Sequence, residues 1–465
     1  MPDRRRRVFA SLSGLVRPAH SDAALTESLP IVDEVLAARI LDLAVRIGES
    51  TLVAGAPASE VMLTIVRVAG AYGLRPVHVE VTYNAITAAH HRAGSARPIT
   101  LLRVVRGAVP DHDKLRRLQA LVLDIRSGLS VDAAYEQYRA IRRAPFRYPP
   151  AVVIASQALL AVGVAVMYGV NWLGIAFAFI GAALAALTQY GMARARVPFF
   201  FSQMAGAFVL TIVAALSPLL RLTGWPAADG IRPSVIVASG IVLMLAGLTV
   251  VGAAQDAIDG FALTAMGRIL ELVTQTLGVV LGILIGLETA KVIGMSMTPP
   301  SESLPLGPLG LQFLGAAIIA VAVAVFNGAR ARIILISLLL SVVAWSGYLL
   351  ASLLGFDSAA ASGVGAFLGS VVGVTLAFRL HVPSVAITTA AILPMVPGAA
   401  VFRGLLSVVE SGSNPGVLLG GFTTLTFAAT VGIALAVGAS LGIYLGQPLR
   451  ATLGGVRRSR ARVRA

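Results

Sequence analysis

Beyond Pro149 the chain carries ten apolar runs that are long enough, or nearly so, to cross a bilayer. They occupy 151–168, 172–190, 199–220, 233–254, 272–293, 309–326, 333–354, 360–378, 383–402 and 417–446. A spanning helix needs about 20 apolar residues, and its backbone groups must bond among themselves because lipid offers no partner. Continuous runs of this kind therefore restrict most of the chain to a helical membrane bundle. Only 13% of the 465 residues are charged, against about 25% in soluble proteins.

The position of the charge orients the bundle. About 21 of the 37 Lys and Arg residues precede Pro149, and six lie within 450–464. With the N-terminal part inside, Arg194, Arg196, Arg268, Arg330, Arg332 and Arg379 fall in inner loops, and Arg221, Arg232 and Arg403 in outer ones. Moving the start by one helix reverses this bias, so the positive-inside rule places both termini in the cytoplasm. The net charge of +15 is thus read as a membrane-surface feature and not as nucleic-acid binding. Residues 1–30 and 448–465 read as basic tails against anionic lipid. The first of these lacks the cleavage site of a leader peptide. With no cysteine, disulfide and thiolate chemistry are excluded.

Residues 31–148 have the composition of a separate α+β domain. Apolar spacing in LDLAVRIGESTLVAG and SEVMLTIVRVAGAYG follows the helical period, with Ser59 as an N-cap and Gly73 as a stop. Alternation over Val77, Val79, Val81 and Tyr83 predicts a strand, ITLLRVVRG a second, and two further helices complete the unit.

The ten runs resemble each other in two sets of five, over 149–295 and 305–447. AVGVAVMYG (from Ala161) matches AVAVAVFNG (from Ala320), and GAF at Gly206 matches GAF at Gly365. PSV at Pro233 matches PSV at Pro383, and GVVLGILIG (from Gly278) matches GASLGIYLG (from Gly438). Five is odd, so the second set must be upside down. The expected fold is a polytopic α-helical membrane protein whose ten transmembrane helices form a 5+5 inverted repeat, a transporter architecture. The glycine ladders Gly278, Gly282, Gly286 and Gly438, Gly442, Gly446 permit close backbone approach, and make spans five and ten candidates for pairing.

Between spans four and five lies QDAIDGFALTAMGRILE (255–271), where charge intrudes on apolar sequence. Charges at or near bilayer depth are costly and tend to mark a substrate or ion path. On a helix Asp256 and Asp259 share one face, Arg268 and Glu271 are spaced to pair, and Gly260 is a candidate break. In the equivalent span of the second set, Pro394 and Pro397 remove backbone donors and Gly398 loosens the chain, with Arg403 just beyond. A cavity between these two breaks suits a small zwitterion. Its ammonium would meet Asp256 or Asp259, and its carboxylate Arg403, Arg268 or a helix N-terminus. Either aspartate is also a candidate proton carrier.

DAIDGFALTAMGRILE (from Asp256) and PMVPGAAVFRG (from Pro394), together with the N-terminal domain, closely resemble the bacterial threonine/serine exporter family. The resemblance covers about 35–446. It implies a soluble N-terminal part followed by ten spans in two modules, residing in the bacterial inner membrane. It also implies export of L-threonine and L-serine coupled to the proton motive force, with substrate, protons and lipid as partners and no cofactor. It carries no residue-level substrate site.

Two other readings compete. A metal or hydrolytic site at His78, His90, His91 and His112 would make the chain an enzyme, but HExxH and GxSxG motifs are missing, and Asp111 and Asp113 read as helix N-caps. A channel or regulatory scaffold is the other. An inverted repeat with broken helices favours a transporter.

Overall fold

The computed structural model describes residues 34–463 apart from 92–96, 106, 108, 245–246, 296–304, 381–390 and 412–413. The expected N-terminal tail, the PSV match at Pro383 and the start of span nine lie outside the described residues.

The N-terminal unit opens with two helices, α1 (Glu34–Val53) and α2 (Ala58–Ala71). A three-stranded antiparallel meander follows, β1 (Val77–Thr82), β2 (Ala85–His90) and β3 (Ile99–Val104), in the order β1-β2-β3. Helices α3 (His112–Arg126) and α4 (Val131–Arg143) complete it. Apolar residues at helical spacing, among them Ile40, Leu43, Ile47, Ile65, Leu118 and Ile125, bury against Ile86 and Val81 of the sheet in one core. The sequence reading found β1 and β3 and missed β2. AITAAH is rich in alanine, a weak strand former, and the turn that creates it is only Tyr83–Asn84, between the paired residues Thr82 and Ala85. Helix α2 begins at Ala58 with Pro57 as its cap position, so Ser59 is not the cap. It stops before Gly73, whose φ of +82° suits glycine.

The rest is helical: α5 (Pro150–Met167), α6 (Trp172–Arg194), α7 (Phe199–Leu216), α8 (Pro233–Met244), α9 (Gly247–Ile258) and α10 (Ala262–Val292). After a described gap come α11 (Leu309–Phe326), α12 (Ala331–Leu353), α13 (Ser358–Leu380), α14 (Gly398–Glu410) and α15 (Pro415–Val463). Nine helices among the described residues are long and apolar enough to cross a membrane, and Pro233–Val242 is a shorter apolar helix. The remaining expected span, 233–254, is described as α8 and α9, of 12 residues each, on either side of 245–246. Gly260 does not break it: with φ +89° it forms the turn between α9 and α10.

Helix α7 packs on α10, and α13 on α15; α5 packs on α6, and α11 on α12. The glycine ladders make the first two contacts. A Cβ on Gly282 would collide with the carbonyl oxygen of Met204, and one on Gly438 with that of Gly363. Gly278 and Gly286 likewise face α7 at Phe200 and Thr211, and Gly442 and Gly446 face α13 at Phe367 and Val374. The ladders therefore join spans five and ten to spans three and eight, and not to each other. Two elements cross over. Phe402 and Leu405 of α14 lie in a core with Leu210, Ile236 and Val280, and Val251 of α9 lies in one with Ile319, Trp345 and Leu435.

Candidate functional site

The charged stretch 255–271 docks the N-terminal unit. Helix α2 starts with free N–H groups, as every helix does, and Pro57 has no side-chain acceptor to offer them. Asp256, with no exposed surface, supplies one from α9: its Oδ1 accepts from Ala58 N at 3.2 Å. A negative charge there also meets the positive end of the helix dipole. Arg268 Nε stands 3.0 Å from the other carboxylate oxygen, an ion pair not aligned as a hydrogen bond. Together these offset the cost of burying the carboxylate.

Four residues of the same stretch extend the contact. Phe261 packs on the core of the N-terminal unit. Thr264 Oγ1 accepts from Tyr83 N and donates to Val81 O, both at 3.0 Å. Tyr83, held in the left-handed region at φ 45°, donates through its hydroxyl to Glu271 Oε2 at 3.1 Å. Its ring lies over Gly267, where a Cβ would come within 2.6 Å of the ring carbon Cγ.

A second docking point uses the α11–α12 loop. His112 N, in the first turn of α3, donates to Asn327 O at 2.8 Å, and Tyr148 donates to Ala329 O at 2.7 Å. Asp111 caps α3 by accepting from Lys114 N at 2.9 Å. Asp113 is not a cap: it takes ion pairs from Arg116, Arg117 and Arg330 at 3.2, 2.7 and 2.6 Å. Burial pushes the Asp113 carboxyl up, but hydrogen bonds from Arg330 and Arg117 outweigh it and hold the group below the usual range. In both places a helix N-terminus of the N-terminal unit is met by the helical part, once by the end of α9 and once by the α11–α12 loop.

Between these docking points lies a cavity of about 1700 Å³. Its wall on the helical side includes Thr249, Gln255, Asp259, Arg268, Glu271 and Ile392, and on the other side Glu60, Arg67, His112, Arg116 and Gln119. Carboxylates and guanidiniums thus face one space whose lining is otherwise largely apolar, an arrangement suited to a small molecule carrying both charges.

The residues singled out by sequence are divided by the structure. Asp256 and Asp259 do not share a face, because α9 ends at Ile258; Asp256 is buried in the dock and Asp259 is exposed. Arg268 and Glu271 do not pair with each other: Arg268 pairs with Asp256, and Glu271 accepts from Tyr83 and from Gln275. The chain near Pro394 forms a 3₁₀ turn at Leu393–Met395 and restarts as α14 at Gly398, after Pro397. Arg403 is half-buried, stands apart from the cavity, and has Tyr168 as its electrostatic neighbour. Tyr168 ends α5, whose other end adjoins the N-terminal unit about 27 Å away at 1.5 Å per residue. Arg403 and the Asp256 group therefore lie at opposite ends of the bundle and do not enclose one cavity.

The histidines are scattered. His90 Nδ1 is 2.7 Å from Pro76 O, His112 is buried, and His78 and His91 are exposed. Among the described residues no three groups are placed to hold a metal. Sequence reasoning missed Ala58, Tyr83, Phe261, Thr264, Asp113–Arg330 and Asn327 as docking residues. The second acidic residue in the first turn of α3 was the available signal, since one cap suffices for a helix.

Residues 42–290 match a family model described as "Putative threonine/serine exporter", and residues 312–444 match a second described as "Threonine/Serine exporter, ThrE". A "Probable threonine/serine exporter" of Mycobacterium tuberculosis is 31% identical over 428 residues, covering 90% of this chain and 78% of the relative. A "Threonine/serine exporter" of Corynebacterium glutamicum is 30% identical over 453 residues, covering 95% of this chain and 90% of the relative. No solved structure matches the chain.

Proposed function

Since the chain belongs to the threonine/serine exporter family and is a transporter, not an enzyme, we propose that it moves L-threonine and L-serine outward across the bacterial inner membrane, driven by the proton motive force. The cavity between the N-terminal unit and the helices carries this reading. It lies on the face that charge bias assigns to the cytoplasm, and its wall presents both signs of charge to one space. Asp259 and Glu271 are the candidate ammonium or proton groups, and Arg268 the carboxylate partner. Asp256 keeps the unit docked. Arg403, at the opposite end, belongs to the exit.

The bundle works as two inverted five-span modules, residues 149–295 and 305–447, rocking against each other. The paired contacts α7–α10 and α13–α15 support this, as does the exchange of α9 and α14 between cores. Span nine, divided around Pro394 and Pro397, and its counterpart span four lie where such folds bind substrate. In inverted vesicles, labelled L-threonine should accumulate under a proton gradient and leak away with a protonophore. Accumulation indifferent to the protonophore would remove proton coupling, and no accumulation of either amino acid would remove export.

A further inference from the structure

One wall of the cavity, beside the second docking point, carries side-chain atoms that the docking bonds leave over. His112, Arg116 and Gln119 lie at i, i+4 and i+7 on α3, one face extending over about 10 Å. Gln119 Nε2 donates to Glu60 Oε1 at 2.7 Å, so Glu60 joins the same row. Asn327 stands beside its first turn, held by the His112 N to Asn327 O bond. All five line the cavity.

Three polar atoms in this row are buried and find no hydrogen-bond partner among the described residues: His112 Nδ1, Arg116 Nε and Asn327 Oδ1. His112 and Asn327 are 4% and 3% exposed. An unpaired buried polar atom costs about 1–3 kcal/mol, and two on one helix face with a third beside its first turn call for a common cause. Charge adds to the case. Asp113 is one carboxylate shared by three guanidiniums, so this end of the row has positive charge to spare. The other end has the carboxyl of Glu60, which burial pushes up against the opposing effects of the Gln119 hydrogen bond and of Arg67, so that an arriving ammonium would favour its ionised form.

We propose that this wall is a loading site for a hydroxylated L-amino acid, with Arg116 taking the carboxylate, Glu60 the ammonium, and Asn327 and His112 the side-chain hydroxyl. A hydroxyl is the group that serves both orphans, donating to Asn327 Oδ1 and accepting from the Nδ1–H of a neutral His112. Burial pushes His112 down to about 4, which keeps the ring neutral near pH 7. The site rests on the export reading, since it would hold the cargo on the soluble unit before the membrane path. It also bridges the two parts, because Asn327 comes from the helical bundle and the other four residues from the N-terminal unit.

The test is calorimetric titration of the purified full chain, without a gradient, with L-threonine and with L-valine, its isostere lacking the hydroxyl. A site that bonds a hydroxyl rejects the analogue without one, so wild type should bind L-threonine at least about tenfold more tightly. Asn327→Leu should erase that ratio, and Arg116→Gln should weaken both ligands. Glu60→Gln, which can still accept from Gln119, is the second variant should Asn327→Leu fail to fold; it should weaken both ligands and leave the ratio intact. Equal binding of the two ligands by wild type, or wild-type binding in the variants, overturns the site and leaves solvent as its occupant. The vesicle assay separates the two proposals. Transport with unaltered variant binding sinks this site alone, and Asn327-dependent binding without transport sinks export alone.

Discussion

The carboxylate of Asp256 caps a helix that begins 198 residues earlier, accepting the N–H of Ala58 at 3.2 Å. A charged residue that reads as part of a transport path is, in the fold, a latch between the N-terminal unit and the bundle. Its second partner, Arg268, extends over Gly252, where a Cβ would meet the guanidinium.

Asp256→Ala should therefore loosen the dock, by about 3 kcal/mol if the loss resembles that of other buried pairs. Asp256→Asn keeps an acceptor for Ala58 and should lose less. Limited proteolysis of the full chain at the turn around Gly260 reads the difference. Equal protection in wild type and both variants would deny Asp256 the role of latch.

The sequence disclosed the bundle because hydropathy is a local property, and the helical faces of α1 to α4 because period is local too. The contact of Asp256 with Ala58 was not legible, because nothing in QDAIDGFALTAMGRILE indicates that partner. The same holds for Asp113 and Arg330, 217 positions apart. The glycine ladders were legible as close-packing surfaces, but their spacing is equally compatible with several partners.

A disulfide between Tyr83→Cys and Gly267→Cys tests the dock by another route. A Cβ at Gly267 would stand 3.0 Å from the Tyr83 Cβ, shorter than the roughly 3.5–4.5 Å that a disulfide adopts, so the hairpin must shift by about half an ångström for the bond to close. The chain has no cysteine of its own, so the background is clean. Mild oxidation should produce a shift in electrophoretic mobility that a reductant reverses. If no cross-link forms, the hairpin is not seated on α10.

Acid should weaken the N-terminal unit in a window set by His112. Its value in the folded chain is pushed down to about 4 by burial, against about 6.5 when unfolded. Between these values the unfolded chain binds more protons, so stability falls as pH drops from about 6.5 to about 4, in total by roughly 3 kcal/mol. The Asp113 carboxyl, held low, adds a further loss only below about pH 4. Thermal unfolding at stepped pH should show the first loss in wild type and its absence in His112→Asn. A slope that persists in the variant would assign it elsewhere.

Packing at the ladders predicts a sharp contrast among glycines. Gly282→Ala and Gly438→Ala place a methyl against backbone carbonyls, and should cost about 1–3 kcal/mol in thermal unfolding of the detergent-solubilised chain. Gly310→Ala, with open space around its Cβ, should be close to neutral. Three equal variants would mean that the α7–α10 and α13–α15 contacts are looser than drawn.

The central claim is that cargo passes through the cavity under the N-terminal unit. Single cysteines at Asp259 and Glu271, with a control at the exposed Leu102 on β3, can be labelled with a membrane-impermeant thiol reagent in inverted vesicles. L-Threonine should slow labelling at 259 and 271 and leave 102 unchanged, and a bulky label at either cavity position should stop transport. Unprotected labelling at both cavity positions, with transport surviving the bulky label, would contradict it.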